Sequence, residues 1–308
     1  MVKKMDLNSL TTETRNEASI NIDQLDTLEI VKVINNEDKK VAAAISRVLP
    51  EIAEAIDAIT ERFNKGGRII YCGAGTSGRL GALDAIELTP TYSVSPDRAF
   101  GIMAGGKEAM FKAIEGAEDS KELAIADLKA VELSPNDVVI AIAASGRTPY
   151  TIAAIEYGNE LGALTVSVSC NQYGQMNQIA QIGIAPVVGP EVITGSTRMK
   201  AGTAQKMILN MISTGVMIKT GKVYQNLMIN VQPTNEKLIQ RSINIIVDAT
   251  GIENHLAADF LERADNNVAA AIVMIKTGVS NKEAIQLLKD YKGRISDILQ
   301  MNESKYNA

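Results

Sequence analysis

Between residues 38 and 64 apolar side chains recur at Val41, Ile45, Val48, Ile52, Ile56, Ile59 and Phe63. A spacing of three or four residues predicts helix. Pro50 interrupts the run and predicts a division into two helices. Ahead of it, polar residues 6–20 predict an extended arm, residues 23–35 a first helix, and Asn36-Glu37-Asp38 a reset of the chain. After Gly66-Gly67 the pattern changes. Ile69-Ile70-Tyr71-Cys72 is a short continuous apolar run, as expected for a strand covered on both faces. Further strands are expected over 99–103, 137–143, 164–169 and 182–185. Helical stretches lie between them. One carries Leu80, Leu83 and Ile86 and ends near Glu87 and Pro90. One runs from 107 to about 130, interrupted near Glu118-Asp119-Ser120. One opens at Pro149, a position where proline is tolerated. A long apolar helix is expected over 200–219. This alternation predicts an α/β fold built on a five-stranded parallel sheet. Beyond Pro233 only helical patterns remain, with breaks at Gly278 and Gly293. The expected organisation is an α/β domain over 1–233 and a small all-helical domain over 234–308.

The chain has 308 residues, 46% apolar and 22% charged, with a formal net charge of -5. No basic cluster stands out, which argues against nucleic acid and anionic membranes as partners. No apolar run has the length of a membrane span, and the opening MVKKMDLNSL has no apolar signal core, so a cytoplasmic location is expected. Two cysteines, Cys72 and Cys170, fall at predicted strand ends and are expected as reduced, buried thiols. A single histidine, His255, and no paired cysteines argue against the common zinc sites. No metal or other cofactor is expected. Acid–base chemistry then falls to Glu, Asp, Lys or Tyr.

Three polar segments interrupt the apolar pattern. The first, GAGTSGRLG from Gly73, follows the first strand and opens a helix. Backbone N–H groups at such a junction favour an anion, and the hydroxyls of Thr76 and Ser77 stand beside them. The glycine pattern alone also fits dinucleotide sites. Those require an acidic residue at the end of the second strand, where this chain has Ala104-Gly105-Gly106. A compact phosphate fits better than NAD. The second segment is Ser145-Gly146-Arg147-Thr148, again at a strand end and a helix start. The third, residues 191–206, gathers Glu191, Ser196, Thr197, Arg198, Lys200, Thr203 and Lys206 at a turn leading into the long helix.

Together these segments resemble the SIS (sugar isomerase) domain, whose members bind phosphorylated sugars. The runs GAGTSGRLG with DAIE, IMAGG with EGAEDS, ASGRTPY and GPEVITGSTRMKAGTAQK are similar to those of the N-acetylmuramic acid 6-phosphate etherases over almost the whole chain. The resemblance implies a three-layer SIS fold and a homodimer. It also implies removal of the D-lactyl group from N-acetylmuramic acid 6-phosphate by elimination and hydration, in amino sugar catabolism and cell-wall recycling. It implies Glu87 as proton donor to the leaving lactate and Glu118 as the base at C2, with Glu115 a neighbour on the same expected helical face. By the same resemblance Ser77, Ser145 and Thr148 become the phosphate candidates and Glu191 and Ser196 the sugar contacts, with Thr76, Gly146 and Lys200 as further substrate-binding residues. Arg198 or Lys200 carries a charge suited to the lactate carboxylate. Two other readings share the fold: a non-catalytic sugar-phosphate sensor, which would not need the glutamate pair, and an aldose–ketose isomerase.

Overall fold

A computed structural model describes residues 14–231 and 235–306; residues 1–13, which hold most of the expected N-terminal arm, lie outside it. The chain divides into two compact units, Met1–Ile86 with Pro96–Ser213, and Glu87–Ser95 with Thr214–Ala308.

The first unit holds a five-stranded parallel sheet of β1 (Ile69–Gly73), β2 (Ala99–Met103), β3 (Val138–Ile142), β4 (Leu164–Val168) and β5 (Ile182–Ile184), in the order β2-β1-β3-β4-β5. The apolar runs therefore predicted all five strands. β1, β3 and β4 are buried along their whole length, as parallel strands covered on both sides must be. On one face Ile70, Cys72 and Val139 share a core with Ala124 and Leu128 of α4 (Lys121–Ala130) and with Tyr150, Ala153 and Ala154 of α5 (Pro149–Glu160). The opposite pleat meets α3 (Gly75–Tyr92): a Cβ added at Gly81 would lie 2.8 Å from Tyr71 Cβ and 2.9 Å from Ile142 Cδ1. This close approach requires glycine. Both cysteines are buried and free, and burial pushes each thiol up to about 12.

Several helix limits differ from expectation. α1 (Thr27–Ile45) runs straight through Asn36-Glu37-Asp38. There Lys39 bonds Asn36 and Lys40 pairs with Glu37, both three residues apart, so the polar triplet supports the helix. The break falls instead at a 3-10 turn, Ser46–Val48, before α2 (Leu49–Asn64), where Pro50 occupies the tolerated first turn. α3 passes through Pro90, and its apolar Leu83 and Ile86 face outward at 49% and 61% exposure. Gly81, Asp84, Ala85 and Leu88 form its buried face. Of the helix expected from 107 to about 130, only the part after the interruption near Ser120 forms. Gly105 and Gly106 take φ of 87° and 69°, and only a short 3-10 turn, Lys107–Met110, follows. α4 starts after Ser120, whose hydroxyl accepts from Leu123 N at 3.1 Å as an N-cap. The short α6 (Gln175–Ile179) and the long α7 (Lys200–Lys219) complete the order before the second unit.

The second unit is helical, with one two-stranded hairpin, β6 (Val223–Tyr224) and β7 (Leu227–Met228), which the apolar pattern did not predict. Its helices are α8 (Glu236–Thr250), α9 (Asn254–Arg263), α10 (Val268–Thr277), α11 (Asn281–Asp290) and α12 (Ile295–Tyr306). They pack around α10, whose Val268–Met274 stretch is buried throughout. Gly278 caps α10 with φ of 74°. No helix among the described residues is long and apolar enough to cross a membrane.

Candidate active site

The start of α3 is built by glycine contact. A Cβ at Gly73 would lie 2.7 Å from Gly78 N, and one at Gly78 would lie 2.6 Å from Gly73 O. Only bare backbone lets the strand end and the first helical turn approach so closely. Gly75 opens the helix at φ of 53°. Free N–H groups of the first turn thus gather at the C-terminal end of β1, with Thr76 half-buried beside them. Ser77 is 9% exposed and its Oγ donates to Gln205 Oε1 at 2.9 Å.

Next to this turn is a cavity of about 160 Å³ lined by Ala74, Gly75 and Arg79 on one side and by residues 112–118 on the other. Glu118 and Glu115 both line it. Their spacing predicted a shared helical face, and the structure has no helix there to provide one. Gly116 between them takes φ of 74°, and Glu118 sits in the 3-10 turn Ala117–Asp119. Arg79 fixes the opposite wall. Its Nε donates to Met110 O at 3.1 Å, and its Nη2 donates to Ala109 O at 2.7 Å and Lys112 O at 3.3 Å. One guanidinium so holds the irregular segment that carries both glutamates against α3. Sequence spacing gave no sign of that role. Glu87 is exposed, further along α3, and does not line this cavity.

The second hydroxyl cluster keeps its expected place. Ser145-Gly146 follows β3, and Thr148 is the residue before the first turn of α5. Gly146 has φ of 67°, and a Cβ there would meet Gly174 Cα at 2.9 Å. Ser145 Oγ accepts from Arg147 N at 3.2 Å, which leaves the hydroxyl's own hydrogen outside that bond. Thr148 makes no side-chain capping bond. Both hydroxyls are half-buried at the strand ends, as a parallel sheet places its ligands.

The third segment is mostly structural. Glu191 is fully buried and accepts from Lys200 N and Ala201 N, each at 2.9 Å, so its carboxylate closes the start of α7. Lys200 is 1% exposed, and its Nζ lies 2.5 Å from Glu37 Oε2. Burial raises the Glu37 carboxyl, but hydrogen bonds from Lys200 and Lys40 outweigh it and bring it down to about 2. Ser196 is half-buried and Arg198 exposed. His255 is exposed on α9, 3.2 Å from Glu253. A buried network was not anticipated. Asp84 accepts from Tyr71 at 2.7 Å, Asn210 at 2.6 Å and Ser213 at 3.1 Å, locking α3 to β1 and α7. Burial raises the Asp84 carboxyl against these hydrogen bonds, and burial, with the Asp84 charge beside it, raises the Tyr71 phenol. The DAIE run supplied the signal: Asp84 is three residues before Glu87, one turn back on the same helix.

The five-stranded parallel sheet with helix starts at its strand ends has the form of the SIS fold, and residues 121–214 match the SIS domain. Residues 51–159 match the glucokinase regulatory protein N-terminal SIS domain. Similarity to curated proteins extends further. An N-acetylmuramic acid 6-phosphate etherase 1 of Enterococcus faecalis is 69% identical over 97% of this chain and 100% of its own length. Etherases of Lactobacillus johnsonii and Clostridium beijerinckii are 57% and 56% identical, over 96% and 99% of this chain and 99% and 100% of theirs. The chain belongs to the N-acetylmuramic acid 6-phosphate etherase family.

Proposed function

We propose that this protein is a carbon–oxygen lyase that cleaves the D-lactyl ether of N-acetylmuramic acid 6-phosphate to N-acetylglucosamine 6-phosphate and D-lactate. Identity of 69% with an etherase along its full length carries this reading. The role belongs to amino sugar catabolism and cell-wall recycling. The phosphoryl group sits at the starts of α3 and α5, on backbone N–H groups and on Thr76, Ser77, Ser145, Gly146 and Thr148. Two helix starts and several hydroxyls suit a dianion. Ser196 lies on the sugar side, while Glu191 and Lys200 brace that wall from within.

The chemistry needs only proton transfers. In the open-chain sugar the C1 aldehyde acidifies the proton on C2. Glu118 removes it. The electron pair forms a C2–C3 double bond and expels the ether oxygen from C3, and Glu87 gives that oxygen its proton. D-Lactate leaves with the ether oxygen. Water then adds at C3, returning a hydroxyl there and a proton to C2. Arg198, an exposed cation, carries the charge that would suit the lactate carboxylate. We also propose a homodimer and a cytoplasmic site of action; the exposed Leu83 and Ile86 beside Glu87 give a second copy apolar surface to cover.

Incubation with N-acetylmuramic acid 6-phosphate is expected to release free D-lactate, read with D-lactate dehydrogenase. The unphosphorylated sugar should react far more slowly, because it lacks the group the two helix starts hold. Conversion to a ketose without lactate would identify an isomerase, and tight binding without turnover a sensor.

A further inference from the structure

Ser77 and Gln205 meet behind the α3 start in a way that a binding role for Ser77 does not explain. Ser77 Oγ donates to Gln205 Oε1, and Gln205 is 1% exposed on α7. The other half of the amide, Nε2, is closed to solvent and has no hydrogen-bond partner. A buried amide donor left unmatched is a cost that folded proteins rarely keep without a use. The direction of the bond matters too. With its hydrogen engaged by Gln205, the Ser77 hydroxyl offers the anion socket only lone pairs, which repel a phosphoryl oxygen. Ser145 differs, since its oxygen accepts from Arg147 N and its hydrogen is not used in that bond.

We propose that Gln205 is a positioning residue for the phosphate site, whose amide turns over to redirect the Ser77 hydroxyl. An amide presents oxygen and nitrogen in nearly the same shape, so half a rotation exchanges them without repacking. Nε2 then donates to Ser77 Oγ, and the hydroxyl hydrogen passes to the phosphoryl oxygen. Nε2 gains Ser77 Oγ as its acceptor, Oε1 gives up the Ser77 hydrogen in exchange, and the gain lies in the hydroxyl's new charge-assisted bond to the phosphoryl oxygen. Glu191 closes the start of α7, and Gly202 in its first turn faces α3, where an added Cβ would make only ordinary contact with Thr76 Cγ2 at 3.5 Å. The inference rests on the reading of the α3 start as a phosphate seat.

Steady-state kinetics with N-acetylmuramic acid 6-phosphate tests it. A carboxylate accepts but never donates, so Gln205→Glu keeps the hydroxyl turned inward and adds negative charge. KM is expected to rise by about tenfold or more, with a much smaller change in kcat, because the lost bond is one to a charged group. Gln205→Met keeps the length and releases the hydroxyl, so its KM falls between those of the unsubstituted protein and Gln205→Glu. A KM in Gln205→Glu equal to that of the unsubstituted protein overturns the inference. So does a KM in Gln205→Met as high as in Gln205→Glu, which marks a packing role. Ser77→Ala separates the two readings. A raised KM there beside an unchanged one in Gln205→Glu removes only the amide's part. An unchanged KM in Ser77→Ala removes the seat and this inference together. A second readout needs no carboxylate variant. The side-chain amide resonances of Gln205, assigned by their loss in Gln205→Met, are expected to shift on titration with inorganic phosphate, and no shift at saturation overturns the proposal.

Discussion

Glu118→Gln is expected to lower D-lactate release by about 10²–10⁴-fold, the usual contribution of a positioned acid or base. Exchange of the C2 proton with deuterium should stop as well, because that exchange needs only the base. The fold should survive. Glu118 is exposed, and the wall it stands on is tied down by Arg79 through backbone carbonyls rather than through the glutamate. Glu115→Gln is the matched control, since Glu115 lines the same cavity from across Gly116. It should retain most of the exchange. Deuterium exchange that persists in Glu118→Gln, or that is lost only in Glu115→Gln, would move the base role off Glu118.

Lys200→Met is expected to destabilise the protein by about 3–5 kcal/mol, because it strands the Glu37 carboxylate in the interior without its partner. Lys200 and Glu37 side chains are only 1% and 4% exposed, so water cannot take over the lost interaction. Lys40, the other partner of Glu37, is 60% exposed and compensates little. The double change Glu37→Gln with Lys200→Met should recover much of the loss, since no charge is then buried. The pH dependence has a fixed sign. A carboxyl held at about 2 instead of its ordinary 4.5 adds stability that is fully present above 4.5. That stability is lost as pH falls from there through about 2. Urea unfolding across this range should show the decline in the unsubstituted protein and a flatter profile in the double variant. A Lys200→Met protein as stable as the original would show that the pair contributes nothing.

The five strands and the long α7 were legible in the sequence because buried parallel strands leave continuous apolar runs that little else imitates. Of the two N-terminal breaks expected, the one at Pro50 falls within a turn of the observed division, and the one at Asn36-Glu37-Asp38 does not occur. Asn36-Glu37-Asp38 looks like a turn, yet side-chain pairs three residues apart turn its polarity to helical use, and Glu37 is the inward member that meets Lys200. Periodicity also misled around 107–118, where the chain makes two short 3-10 turns and Gly116 takes a positive φ. The cavity exists because of that irregularity. The hydroxyl-bearing strand ends were readable from their glycines. The resemblance made Glu191 a sugar contact and charge alone suggested Lys200 for the lactate carboxylate, while their partners, a helix start and a carboxylate 163 residues away, come from tertiary structure alone. Arg79 and Gln205 stayed hidden for the same reason, since each acts on atoms distant in sequence, and Asp84 was marked only by its place in the DAIE run.

Turnover of N-acetylmuramic acid 6-phosphate in water enriched in ¹⁸O tests the elimination most directly, with the released D-lactate read by mass spectrometry. Breaking the bond between C3 and oxygen sends the original ether oxygen out with lactate, so unlabelled D-lactate is predicted. Lactate carrying solvent ¹⁸O at its hydroxyl would mean that water attacks the lactyl carbon instead, and would contradict the account.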